Sequence, residues 1–374
     1  MKLRDFKLER FLAEYEFRAP YILCASDCET VSVAELLEGE EGGREALMNL
    51  RLGYAEPMGS PGLREEIAGL YTTISPEEII AFNGASEGIL AYMNVALSAG
   101  DHVVVQSPAY QSLYEVARSV GCDVTMWRME ERDGAWTLDL DLLQEQIRST
   151  TKAVIINSPH NPTGYQIPES DFRAIAEIAA DHGAIVFSDE VYRYLEHPGT
   201  DRLPAMADIA ETGISLGVIS KAFGLAGLRT GWIATHDREL LRKLSAFKDY
   251  STICNNVPGE FFTALALRQK DALVTRNLGF VESNLSLLER FFRENGDLFV
   301  WSHPSAGSTA FPALLSGASA FEFCTDLVDR QGVLLLPGTV FEYDDRHFRI
   351  GYGRVDMPES LRQLERYVEA HLRA

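Results

Sequence analysis

The chain has 374 residues, 46% hydrophobic and 24% charged, with a formal net charge of −21. That length allows about two domains, a sizeable core and a cleft between them. So acidic a surface repels phosphate backbones and anionic membranes, which argues against nucleic acid as a partner.

The N-terminal stretch MKLRDFKLERFLAEYEF (1–17) is charged throughout and has no apolar h-region, so it does not read as a signal peptide. No run of 18 uncharged apolar residues follows, so no membrane-spanning helix is expected. The five cysteines, Cys24, Cys28, Cys122, Cys254 and Cys324, are scattered. Nothing completes a metal site around Cys24 and Cys28, and the pattern suits reduced thiols in a cytoplasmic enzyme.

Through the middle of the chain, apolar runs alternate with amphipathic stretches. HVVVQSP (102–108) reads as a buried strand and LYEVARSVG (113–121) as a helix ending at glycine. KAVIINSP (152–159) is the next strand. SDFRAIAEIAADHG (170–183) reads as a helix with Ser170 as its N-cap and a glycine stop. AIVFSDE (184–190) and SLGVIS (215–220) are two further buried strands. This alternation predicts an α/β fold with a mainly parallel sheet covered by helices, and ligands at the carboxyl ends of its strands. Polar clusters at 157–164, 189–192 and 220–221 each follow an apolar strand, so they should line one crevice.

From about residue 270 the pattern changes. SNLSLLERFFRENG (283–296) reads as an amphipathic helix. Short strand-like pieces follow near Phe299, Ala310 and Val333, then HFRIGYG (347–353) and a last helix from Pro358. The expected division is a large domain over 45–268 and a smaller α+β domain made of 1–44 and 269–374.

Several motifs point to one chemistry. SKAFGLAGLRTGW (220–232) has a lysine, a glycine-rich turn and an arginine eight positions on. It resembles the Schiff-base signature of the class I/II aminotransferases, the fold-type I enzymes dependent on pyridoxal 5′-phosphate (PLP). YAEPMGSPGLREEIA (54–68), NGASEGI (83–89), SPAY (107–110), NSPHNPTG (157–164), SDEVY (188–192) and FRIGYG (348–353) resemble that family's other motifs, in its order.

The resemblance implies a role for each matching residue. Lys221 is the imine lysine and proton shuttle. Asp189 pairs with the pyridine nitrogen. Asn161 and Tyr192 bond the ring hydroxyl oxygen, and Tyr110 stacks on the ring. Gly84, Ala85, Ser86, Ser220 and Arg229 hold the phosphate. Arg349 clamps the substrate α-carboxylate, beside Asn161. Tyr54 reaches the neighbouring subunit's cofactor, which implies a homodimer acting on an amino acid and a 2-oxo acid.

There are departures from the family pattern. Val218 stands where a phosphate-binding serine is common. LCASDCETVSV (23–33) replaces a glycine-rich substrate loop, so Asp27 or Glu29 could read a cationic side chain. SDCE and AGSTAFP resemble a branch similar to capreomycidine synthase, which implies elimination and cyclisation of a hydroxylated arginine as the alternative to transamination. A dehydrogenase is disfavoured, because no G-x-G-x-x-G follows an early strand. A regulator built on this fold is disfavoured because there is no basic arm and Lys221 is kept.

Overall fold

Seven strands form the central sheet of the computed structural model, which describes residues 2–132, 134–315 and 317–373. In chain order they are β1 (Ile79–Phe82), β2 (His102–Ser107), β3 (Asp123–Arg128), β4 (Thr151–Asn157), β5 (Ile185–Asp189), β6 (Ile214–Val218) and β7 (Gly231–Ala234). Across the sheet they run β1-β7-β6-β5-β4-β2-β3. Only β7 is antiparallel to its neighbours, β1 and β6.

The middle strands are buried along nearly their whole length, as parallel strands covered by helices must be. Helices Ala85–Ala96, Ser112–Val120 and Glu169–Asp181 pack on them. Parallel register brings the strand ends level: Asn157 of β4 is directly opposite Asp189 of β5, and Asp189 is opposite Leu216 of β6. The site is assembled at this edge.

Two boundaries differ from the sequence reading. The third helix starts at Glu169 with Pro168 as its N-cap, and the Ser170 hydroxyl bonds Asp171 instead of capping. Pro168 already fixes the entry angle, and Glu169 and Asp171 suit the helix's positive end. The helix expected over 283–296 is the second half of a 25-residue helix, Lys270–Glu294. Gly279 looks like a stop, but it faces solvent. The buried stripe of Leu273, Asn277, Val281, Leu285 and Leu288 runs past it without a break.

The C-terminal part pairs Phe348–Gly351 with Thr309–Ala310 on one side and Leu336–Pro337 on the other, both antiparallel. Tyr21–Ile22 adds in parallel to Val333–Leu334. The N-terminal helix Lys7–Tyr15 touches both parts of the molecule. Its approach is tied to the central sheet's side by Lys7 N–H donating to Gln111 Oε1 (2.8 Å) and by Arg4 pairing with Glu115. It also packs on the turn Gly338–Phe341. No helix of the described residues is long and apolar enough to cross a membrane.

Candidate active site

At the carboxyl edge of β4, β5 and β6 lies a cavity of about 470 Å³. Lys221 follows β6, and its Nζ lies 5.6 Å from the centre of the Tyr192 ring. Its Nζ donates to Ser26 Oγ at 2.8 Å. Asp189 ends β5 inside the cavity and is only 5% exposed. Its Oδ1 accepts one backbone N–H, from Val191, at 3.2 Å. Burial pushes this carboxyl up to about 7, against the opposing pull of that N–H and of Lys221. The Asn157 amide donates to the Asp189 carbonyl and accepts from Asn161 N–H, both at 2.8 Å, which fixes the loop carrying Asn161.

One wall of the cavity is built for an anion. Helix Ala85–Ala96 opens on it, and its N-cap Gly84 offers no side-chain cap to the first-turn N–H groups. Gly84, at φ 95, starts that helix where a Cβ would sit 2.6 Å from Arg229 Nη2. Only glycine allows the guanidinium this close. Ser86, Ser220 and Arg229 line the same cavity, and Ser220 Oγ is buried with no hydrogen-bond partner among the described residues. Val218 occupies the position where a further hydroxyl was expected and is apolar and buried.

Arg349 projects from the strand Phe348–Gly351 and is 4% exposed. Its guanidinium donates to Asn161 Oδ1 (3.2 Å) and to the Cys24 carbonyl (2.8 Å), and its Nε has no partner among the described residues. The Tyr110 hydroxyl donates to Glu9 at 2.9 Å. Burial, then the Glu9 charge, hold its phenol well above the ordinary range.

Ala85, Ser86, Tyr110, Asn161, Asp189, Tyr192, Ser220, Lys221, Arg229 and Arg349 thus share one cavity, and Gly84, outside its lining, lies against Arg229. Tyr54 lies outside it and is 89% exposed. Asp27 and Glu29 are placed differently. Asp27 lines the cavity, but both its oxygens accept from Arg354 Nη2 at 2.9 Å. Glu29 is not part of the lining and accepts from the Val355 and Thr30 N–H groups.

Sequence reasoning missed the contribution of the N-terminal helix. Leu8, Glu9, Leu12 and Glu16 all face the cavity. Burial raises the Glu16 carboxyl, which has no ion-pair partner among the described residues. The signal was present, since these positions fall on one helical stripe, with acids where a core-facing stripe should be apolar.

The chain matches the aminotransferase class I and II family over residues 23–366. It is 32% identical to a PLP-dependent aminotransferase from Streptococcus suis, with a TM-score of 0.92 over 99% of this chain and 98% of that one. The PLP-dependent cyclase OrfR is 29% identical, with a TM-score of 0.91 over 100% and 99%. Capreomycidine synthase of Streptomyces vinaceus is 28% identical over 98% of this chain and 94% of that protein. Fold and site therefore define a PLP-dependent enzyme of fold type I. More narrowly, the chain belongs to the aminotransferase class I and II family.

The residues present fit this cofactor. The anion wall, with its unpartnered Ser220 hydroxyl, suits a phosphate. The buried Asp189 carboxylate, with one backbone donor, suits a protonated ring nitrogen.

Proposed function

We propose that this enzyme is an aminotransferase, moving an amino group between an α-amino acid and a 2-oxo acid. The observation that carries the reading is the meeting of Lys221, Asp189 and Arg349 in one cavity. PLP, when bound, supplies an electrophilic carbon and a protonated ring that withdraws electrons from the substrate.

The chain's residues do the rest. Lys221 Nζ anchors the cofactor and then takes the proton from substrate Cα. Asp189 holds the ring N–H. Asn161 and Tyr192 donate to the ring oxygen, and Tyr110 packs on the ring face. Ala85 N–H, Ser86, Ser220 and Arg229 hold the phosphate, with Gly84 giving clearance. Arg349 binds the α-carboxylate through its two-pronged fork.

The large domain is 45–268, and the smaller one is 1–44 with 269–374. The active unit is a homodimer in the cytoplasm, with Tyr54 reaching the partner's cofactor. Support for the dimer comes from exposed apolar side chains at Met48, Leu52, Tyr54 and Tyr250. Support for a reducing compartment comes from five free thiols.

A second reading is favoured by the Glu16 carboxylate in the cavity, beside Glu9 and with no ion-pair partner among the described residues. It is elimination and ring closure on a hydroxylated arginine, whose guanidinium these acids would receive. Borohydride reduction followed by peptide mapping tests the common part. The label should fall on Lys221, and Lys221→Ala should lose the near-visible absorption band. A label on another lysine overturns both readings. Transfer of nitrogen to a 2-oxo acid marks transamination, whereas loss of water with a cyclic amino acid marks the second.

A further inference from the structure

We propose that Ser26 is a positioning residue, whose hydroxyl holds the Lys221 amine in line for proton transfer. This rests on Lys221 being the base, as proposed above. The hydrogen bond to Ser26 Oγ, 2.8 Å, is the one that Lys221 Nζ makes among the described residues. Ser26 belongs to the polar segment that stands where the family pattern has small apolar residues, and no role above accounts for it.

The segment that carries Ser26 is fixed on two sides. Its carbonyl accepts from Ser308 Oγ at 2.9 Å. Cys28 N–H reaches the carbonyl of Lys221 itself, at 3.4 Å. On the other side Gly351 N–H donates to Leu23 and Glu29 N–H donates to Gly353, at 2.8 and 2.9 Å. A Cβ on Gly351 would stand 1.9 Å from the Ala25 carbonyl oxygen, so the Arg349 strand and the Ser26 segment touch backbone to backbone. Arg349 also grips the Cys24 carbonyl in this segment. A carboxylate arriving at Arg349 therefore acts on the same stretch of chain that positions the lysine.

The neutral amine donates one N–H to Ser26 Oγ, which leaves the nitrogen lone pair directed away from the serine. The substrate Cα–H bond breaks, its proton joins Nζ, and its electron pair stays with the substrate. The ammonium keeps its hydrogen bond to Ser26 until the proton is returned. Ser26 keeps its own proton throughout. Without the hydroxyl, the amine is free to rotate out of line.

The test compares Ser26→Ala, Ser26→Cys and Ser26→Thr in the cofactor-loaded enzyme. Exchange of the Cα proton of glutamate, alanine and arginine into deuterium oxide is followed by NMR, and the acid–base midpoint of the near-visible band is titrated. Losing a hydrogen bond to a charged amine should slow exchange about tenfold or more. Ser26→Ala and Ser26→Cys should both slow it and shift the midpoint, with KM little changed. Ser26→Thr should recover exchange to within about threefold of wild type, because it keeps the acceptor. Unchanged exchange and midpoint in Ser26→Ala, or a loss confined to KM, would overturn the proposal. Borohydride labelling separates the two ideas. A label on Lys221 with a silent Ser26 sinks only this inference, whereas a label elsewhere sinks the reading beneath it.

Discussion

The Arg349 guanidinium donates to the Asn161 side-chain carbonyl at 3.2 Å, joining two loci 188 positions apart in the chain. This contact orients both groups. It turns the Asn161 carbonyl toward the arginine, so its NH₂ is the end available to an acceptor in the cavity. It also holds the guanidinium from one side, so that its other face meets the substrate. Arg349→Lys keeps the charge but loses the fork. The expected result is a KM raised roughly 30-fold for every amino acid, from about 2 kcal/mol of lost charged hydrogen bonding. Steady-state kinetics over several substrates decide this, and a KM effect on one substrate class alone would count against a carboxylate clamp.

Asp189 gives a prediction with a definite sign. Its carboxyl lies near 7 in the folded chain, raised by burial from an ordinary 3.8. Between those values the cofactor-free folded state keeps a proton that the unfolded chain has released. Stability is therefore lost as pH rises through that window. A tenfold change in a carboxyl's proton affinity on folding is worth about 1.4 kcal/mol, so the effect is on the order of a few kcal/mol. Cofactor-free Asp189→Asn should melt several degrees above wild type at pH 8 and level with it at pH 4. The loaded variant should turn over ~10³-fold more slowly, because a neutral amide cannot keep the ring nitrogen protonated. Scanning calorimetry at both pH values checks the first half, and single-turnover rates check the second.

Tyr54 is 89% exposed in the single chain and stands apart from the cavity. A mixture of inactive Tyr54→Phe and Lys221→Ala proteins should regain activity, since one site of each hybrid dimer has both native residues. Recovery should approach about a quarter of wild type if subunits exchange freely, because half the dimers are hybrids with one good site. A fully active monomer by light scattering would refute the shared site.

Side-chain selection turns on which acid is free. Asp27 is held by Arg354, whereas Glu16 is half-buried without an ion partner among the described residues. Glu16→Gln should weaken arginine-like ligands by at least tenfold and leave neutral amino acids nearly unaffected. Glu29→Gln should change neither, since that side chain caps backbone N–H groups away from the cavity. Equal effects on cationic and neutral ligands in a spectral titration would remove the case for a cationic substrate.

Much of the site was legible from residue order alone, because parallel strands repeat one local grammar. An apolar run followed at once by polar residues places those residues at a carboxyl edge, and this located Asn161, Asp189 and Lys221. The motifs that follow the strands then named the chemistry. Local pattern also gave the buried strands, and it misjudged two helix starts, placing one at Ser170 where Pro168 is the N-cap and another at Ser283 inside a helix that begins at Lys270.

What the tertiary structure decided is which distant side chains share charge and space. Asp27 and Glu29 are two residues apart, yet one faces the cavity paired to Arg354 and the other turns out to Val355. Glu9 and Glu16 enter the cavity only because their helix is held between Gln111 and the turn at Gly338. Ser26 meets Lys221 across 195 positions. Such pairings depend on long-range packing, in which each contact is set by many others. A local window records the chemistry a side chain can do, but not the partner that uses or cancels it.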